Sequence, residues 1–166
     1  MHPDDRRGFT QFVAARSDSL IRLAYVLTGD QHSAEDLLQT ALIKTAGRWR
    51  GIRGDPEAYV RRVMYREQVS VWRSARWGRE RVVEKPPERA TGDATAEVDE
   101  RLALEHALRQ LPPRKRVVLV LRYFEDLPES EVARIMGCSV GTVRSQAHQA
   151  VKRLRALVGD RVNQEA

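Results

Sequence analysis

Residues 137–154, GCSVGTVRSQAHQAVKRL, combine many hydrogen-bonding side chains with a complete absence of acidic ones. Guanidinium, amide, hydroxyl and imidazole groups recognise the exposed edges of base pairs, and a lysine ammonium binds phosphate. Phosphate would repel acidic side chains, so their absence favours a nucleic-acid partner. The segment predicts a DNA-contacting helix, whose candidate contact residues are Thr142, Arg144, Ser145, Gln146, His148, Gln149 and Lys152.

A second basic set lies in residues 58–77, AYVRRVMYREQVSVWRSARW. At helical spacing an apolar stripe is predicted from Val60, Val63, Met64, Val71 and Ala75, with Val69 on the opposite side. Arginine follows phosphates, and exposed aromatic rings stack on unpaired bases. The pattern favours a surface for single-stranded or melting nucleic acid over an ordinary solvated face. The candidate residues are Arg62, Tyr65, Arg66, Ser70, Trp72, Arg73 and Arg76.

The elements that must position the first set form a helix-turn-helix pattern. Residues 129–136 are short and amphipathic, with Val132, Ala133 and Met136 facing inward. Gly137 follows where a tight turn requires positive φ, and Ser139 can cap the next helix. The buried stripe of that helix is predicted to be Val143, Ala147, Ala150, Val151 and Leu154. An ordinary helical hairpin with a solvated face is the less favoured alternative, and Cys138 is expected as a small buried apolar residue.

The remaining apolar spacings also predict helices. The first helix is closed by Gly29, and a Ser-x-x-Asp pattern at Ser33 predicts the start of the second. A third helix is predicted over residues 58–77, and four more near 98–110, 113–124, 128–136 and 139–157, with Pro113 at a first helical position. Since no segment alternates convincingly with period two, the predicted fold class is all-α.

Charge and composition divide the chain into two parts. The net charge is +6, but residues 82–100 carry a net charge of −4 and include Pro86–Pro87 and Gly92, without a helical apolar stripe. Such a segment is typical of a flexible linker. We therefore expect two small helical domains, at 1–80 and 98–160, joined by an acidic linker over 81–97 and followed by a short tail at 161–166.

Several function classes are disfavoured by the composition. One cysteine excludes an intramolecular disulfide framework, and the four histidines have no metal-ligand spacing. No nucleophile–base set or phosphate-cradling glycine loop is present, so we expect neither an enzyme nor a bound metal or cofactor. The apolar runs are too short for a membrane span, and the N-terminus does not resemble a signal peptide. A cytoplasmic protein is expected.

Four phrases, LAYVLTGDQHSAEDLLQTAL, GDPEAYVRRV, LPPRKRVVLVLRYFEDL and GCSVGTVRSQA, resemble one family in order and spacing. The family is the extracytoplasmic-function sigma factors of bacterial RNA polymerase, most closely their actinobacterial sigma-E-like subgroup. The resemblance spans about residues 9–157. It implies sigma domain 2 at 1–80, sigma domain 4 at 98–160, and the core polymerase and promoter DNA as partners. It leaves an anti-sigma factor open as a further partner.

The resemblance also implies a role for each candidate set. The helix over Ser33–Thr45 would dock on the β′ clamp helices, with Asp36, Gln39 and Thr40 toward the polymerase. Domain 4 would contact the β flap. The basic aromatic helix would open and hold the −10 element, and the residue 142–152 set would recognise the −35 element. In this chain Arg66 replaces an Asn of many relatives, and Gln146 and Gln149 replace an Arg of some.

Two further functions remain as alternatives. A stand-alone helix-turn-helix regulator would explain residues 98–160, but it would leave the basic helix at 58–77 and the acidic linker without a role. The other is a pure interaction protein, for instance a sigma relative that sequesters partners. A gel shift with and without core polymerase distinguishes the classes, because a stand-alone regulator binds duplex DNA alone.

Overall fold

The computed structural model describes residues 1–78 and 96–164, with side chains described for 1–74 and 99–159. Both stretches are helical and form seven α-helices within the described residues, which confirms the all-α prediction. The chain divides into two compact units, Met1–Lys85 and Pro86–Ala166. Most of the predicted linker, 81–97, lies outside the described residues, although 96 and 97 already belong to a helix.

The first unit contains α1 (Pro3–Thr28), α2 (Gln31–Arg48) and α3 (Pro56–Gly78), with a 3-10 turn at Trp49–Gly51. As predicted, α1 ends at Gly29, which has a φ of 88°. The predicted start of α2 at Ser33 is wrong. The carboxylate of Asp30 accepts a hydrogen bond from the Ser33 amide at 2.8 Å, so α2 begins at Gln31. An aspartate directly after the glycine is an equally good cap and allows a longer helix.

The core of the first unit joins all three helices. Its fully buried side chains include Leu20, Leu27, Ala41, Val60 and Met64. Polar contacts at the edge connect the same helices. The Arg16 guanidinium on α1 lies 3.3 Å from the Glu57 carboxylate on α3, and Lys44 on α2 pairs with Glu67 on α3. This packing holds one side of α2 and one side of α3 in the interior and leaves the other sides accessible.

The second unit contains α4 (Ala96–Arg109), α5 (Pro113–Leu119), α6 (Glu129–Met136) and α7 (Val140–Gln164). A π-helical turn, Val120–Phe124, continues α5, so the predicted helix at 113–124 is present in two parts. Pro113 occupies the start of α5, as predicted. The last helix extends beyond the predicted end at 157 and includes residues 161–164 of the predicted tail.

Three helices of the second unit pack on α7. An apolar cluster of Leu111, Leu119 and Ala150 is extended by Leu108, Val151, Leu154 and Leu157. Beyond the π-helical turn, the Leu127 amide donates to the Leu121 carbonyl at 3.0 Å, and α6 begins two residues later. The core therefore fixes the inner side of α7 and the position of α6 beside its N-terminal end.

Candidate nucleic-acid interface

The turn between α6 and α7 has the predicted geometry. Gly137 adopts a φ of 67°, in the left-handed region where a side chain is disfavoured, and the Cys138 amide donates to the Ala133 carbonyl at 3.1 Å. The Ser139 hydroxyl accepts from the Thr142 amide at 3.1 Å, which confirms Ser139 as the cap of α7. The turn therefore begins α7 abruptly and fixes which residues of its first turns face outward.

Burial along α6 and α7 also agrees with the predicted helix-turn-helix pattern. Val132, Ala133 and Met136 are buried on α6, and Val143, Ala147 and Ala150 on α7. Val151 and Leu154, which were also expected in the buried stripe, are only half-buried at its edge, and Cys138, which was expected to be buried, is half-buried in the turn. Because the buried side of α7 is apolar and continuous, its polar side chains are directed to the opposite side.

Most of the predicted contact residues of α7 lie on that polar side. The exposed ones are Arg144, Ser145, His148, Gln149 and Lys152. Thr142 is half-buried, and its hydroxyl lies 2.9 Å from that of Ser139. The expectation that Gln146 is exposed is wrong. Its side chain is half-buried, because position 146 lies between the polar and the apolar sides of α7. The amide oxygen of this side chain has no hydrogen-bond partner among the described residues.

Arg144 has a partner that sequence analysis missed. Its Nε donates to Oε2 of Glu129, in the first turn of α6, at 3.0 Å. The two residues are 15 positions apart, so helical spacing within one element gives no indication of the contact. The sequence feature that could have predicted this contact is the opposite charge of the two residues on the two helices of the predicted helix-turn-helix.

The basic face of α3 is exposed as predicted along most of its length. Arg62, Arg66, Ser70 and Arg73 are exposed, while the side chain of Arg76 lies outside the described residues. Glu67, the acidic residue within this segment, pairs with Lys44 of α2. Its negative charge is thereby balanced, and up to residue 74, where the described side chains of α3 end, the outer face presents arginine without a competing carboxylate.

The prediction that Tyr65 and Trp72 expose their rings on this face requires correction. Tyr65 is fully buried, so its ring is not available to stack on a base in this conformation. Trp72 is half-buried and retains part of its surface. Tyrosine has an apolar ring, and at position 65 that ring contributes to the core between the helices rather than to the surface.

The buried stripe of α3 is rotated relative to the prediction. Val69 is only 2 % exposed, although it was expected on the basic face, and Val71 is 57 % exposed, although it was expected in the core. The same inner side includes Tyr65 and Gln68, whose Nε2 donates to the Leu27 carbonyl at the end of α1, at 3.4 Å. The predicted stripe was located from the spacing of aliphatic residues alone, so it missed the side of α3 that carries Tyr65 and Gln68.

On α2 the predicted polymerase-contacting residues, Asp36, Gln39 and Thr40, are exposed, and Leu37, Leu38 and Ala41 are buried. Sequence analysis missed Ile43, which is 66 % exposed on the same helix. It borders an open groove of about 340 Å³ that Phe9, Ile21, Gln39 and Leu42 also line. Ile43 is continuous with the apolar residues of this groove, and a contiguous apolar surface bordered by polar side chains is a feature of protein-binding sites.

Among the described residues, no group of three or more histidine, cysteine, aspartate or glutamate side chains is placed to hold a metal ion. No helix in the described part of the chain has both the length and the apolar character needed to cross a membrane.

Comparison with known proteins identifies relatives for both units. The family profile described as Sigma-70 region 2 matches residues 12–78, and the profile described as Sigma-70, region 4 matches residues 101–154. The chain is 42% identical over 149 residues to the RNA polymerase sigma-E factor of Streptomyces avermitilis, a match that covers 89% of this chain and 83% of that protein. It is 32% identical over 145 residues to the ECF RNA polymerase sigma factor SigL of Mycobacterium tuberculosis, covering 82% and 80%.

A solved structure has a similar fold. The sigma factor RpoE of Bartonella quintana, crystallised with the anti-sigma factor NepR, matches with a TM-score of 0.66 at 21% identity. The match covers 92% of this chain and 98% of that one.

Proposed function

The chain belongs to the sigma-70 family of RNA polymerase sigma factors, within its extracytoplasmic-function group, and from this premise we propose how its two units share promoter recognition. The protein is a sigma factor that binds core polymerase and directs promoter-specific transcription initiation. In the proposed division, α3 of the first unit contacts and opens the −10 element, and α7 of the second recognises the −35 element. The role is that of an initiation factor rather than a catalyst, and it is carried out in the cytoplasm.

One observation carries this assignment: each unit has its own basic surface, and the two surfaces differ in chemistry. The outer face of α3 presents arginines next to a partly exposed tryptophan, which suits phosphates beside unpaired bases. The outer face of α7 presents amide, hydroxyl, imidazole and guanidinium groups on a slim helix, which suits base edges in the major groove. A stand-alone helix-turn-helix regulator would require only the second surface.

We assign the −35 contacts to Thr142, Arg144, Ser145, Gln146, His148, Gln149 and Lys152. Helix-turn-helix proteins place the first turns of the second helix in the groove, and six of these residues lie within the first three turns of α7. Lys152 lies further along the helix and is assigned to phosphate. Gln146 would have to rotate its half-buried amide outward to contact a base.

The −10 contacts are assigned to Arg62, Arg66, Ser70, Trp72, Arg73 and Arg76, which all lie on α3. Tyr65 is removed from this set because its ring is fully buried. Polymerase contact is assigned to Asp36, Gln39 and Thr40, with Ile43 added because it is exposed beside them. An anti-sigma partner remains a prediction, since the likeness to a structure crystallised with one is a likeness of fold.

The function is tested by transcription in vitro. Purified protein and core polymerase are incubated with a genomic library, and run-off products are sequenced. We expect discrete start sites that require both proteins. A gel shift on the selected promoters then compares the protein alone with the protein plus core. Specific duplex binding by the protein alone, with no start sites in the presence of core, would favour the stand-alone regulator.

A further inference from the structure

The contact between Glu129 and Arg144 joins the two helices of the helix-turn-helix pattern. We infer that Glu129 is a positioning residue that orients the Arg144 guanidinium toward a base and thereby sets specificity at one position of the promoter. The inference rests on the proposed recognition of the −35 element by α7. It assigns a role to an acidic side chain that would otherwise only oppose DNA binding.

The geometry of the guanidinium supports orientation rather than sequestration. Glu129 binds Arg144 through Nε, at 3.0 Å from Oε2. The two terminal nitrogens, Nη1 and Nη2, have no hydrogen bond within the described part of the chain. Those two nitrogens form the end of the fork that donates to O6 and N7 of a guanine. The carboxylate therefore holds the side of the guanidinium and leaves its recognition end available.

Charge balance indicates the same role. An arginine paired with a carboxylate adds little net charge near DNA, so Arg144 contributes less to general phosphate attraction than a free cation would. Its remaining contribution is directional hydrogen bonding. Lys152, by contrast, is exposed on α7 and has no ion pair among the described residues. The two basic residues are therefore suited to different tasks, base recognition and phosphate binding.

The supporting helices keep the pair in place. Glu129 belongs to the first turn of α6, where the helix dipole favours a negative charge. Val132 on α6 and Val143 on α7 are fully buried, so the backbones that carry the two side chains do not shift freely. Holding a long arginine side chain before binding reduces the conformational entropy that binding would cost.

The test compares Glu129→Ala with Glu131→Ala in the complete protein bound to core polymerase. Both glutamates lie in the first turn of α6, so both substitutions remove one negative charge and one favourable dipole interaction. Glu131 instead contacts Arg134 on its own helix, at 3.7 Å. Equilibrium competition among promoters that differ at one −35 base pair measures the preference at each position, and a thermal melt verifies folding.

We expect Glu129→Ala to reduce the preference at a single position by about two- to fivefold, the range for a contact whose side chains are 71% and 30% exposed. That position should be the one where Arg144→Ala abolishes preference. Glu129→Gln, which keeps an acceptor, should lose less, and Glu131→Ala should leave every preference unchanged. In the Arg144→Ala background, Glu129→Ala should have no further effect on preference.

Three results would overturn the inference. Glu129→Ala could leave all preferences unchanged, change them as much as Glu131→Ala does, or sharpen the preference. A sharper preference would show that the contact between Glu129 and Arg144 opposes base recognition and must be broken when DNA binds. Failure of the proposed function is distinguishable, because the unaltered protein with core polymerase would then show no dependence on the −35 sequence, or Arg144→Ala would leave that dependence intact.

Discussion

At the scale of single residues, two of the basic side chains of α7, Arg144 and Lys152, show how similar charges can be suited to different tasks. Arg144 is bonded to a neighbouring helix, whereas Lys152 is exposed about two turns further along. A planar fork held in one orientation distinguishes bases, and a flexible ammonium binds any phosphate. The difference lies in the surroundings of each residue as much as in its chemistry.

Arg144→Ala and Lys152→Ala should therefore have different effects on promoter binding. Arg144→Ala is expected to cost about 1–3 kcal/mol at the preferred base and to relax selection at one position. Lys152→Ala should weaken all sequences about equally and reduce the salt dependence by about one counterion. Binding is measured with the core-bound protein over single-base promoter variants at several salt concentrations. Identical base-preference profiles for the two variants would contradict these assignments.

At the scale of the element, α3 shows how packing against other helices decides which side of a helix is buried. Apolar periodicity located a helix and an exposed arginine face correctly, but it placed the buried stripe on the wrong valine. The side that packs against the other helices includes a tyrosine and a glutamine, which a count of aliphatic residues does not weigh. A tyrosine has an apolar ring and a polar hydroxyl, so it can lie in the core or at the surface, and the neighbouring helices decide which.

Val69→Ala and Val71→Ala form a matched pair that tests this rotation. The same two methyl groups are removed from one helix at positions two residues apart. Val69→Ala should destabilise the protein by about 1–3 kcal/mol, because it leaves a cavity in the core. Val71→Ala should change the free energy of unfolding by no more than about 0.5 kcal/mol. Urea unfolding monitored by circular dichroism measures both, and equal effects would contradict the observed face.

The outer side of α3 is expected to act in strand opening. Trp72→Ala should leave closed-complex formation nearly intact and depress open-complex formation, since base–aromatic stacking contributes about 1–3 kcal/mol per base. A template already melted at −10 should restore much of the loss. Permanganate reactivity of promoter thymines reports opening, and a thermal melt verifies folding. Normal opening by a folded Trp72→Ala protein would show that the ring is structural.

At the scale of the whole molecule, the proposed function includes a third surface, the outer side of α2, which is assigned to core polymerase. Its exposed polar residues lie beside Ile43 and an open groove. A mixed surface of this kind gives an interface both apolar contact and directional bonds. In the proposed assignment, DNA recognition by the two units would depend on docking of α2 to the polymerase.

Asp36→Lys combined with Gln39→Ala should weaken core binding by about 1–2 kcal/mol without unfolding the protein. Both side chains are exposed, so the core of the first unit does not change. Asp18→Lys, the same charge reversal at an exposed position of α1, serves as the control. Fluorescence titration with core polymerase measures affinity. If the double variant binds as tightly as the control, the docking face lies elsewhere.

Much of this organisation was determined by the sequence alone. The local signals are period-3.6 spacing, the glycines at 29 and 137, the serine cap at 139 and the acid-free segment of α7. They specified the helices, the turn and the polar side of α7. Contacts between distant residues were decided only in the tertiary structure. Burial of Tyr65, rotation of the α3 stripe, exposure of Ile43 and pairing of Glu129 with Arg144 all depend on which helix faces which. Local periodicity does not contain that information, because it defines the sides of a helix but not the neighbours that cover them.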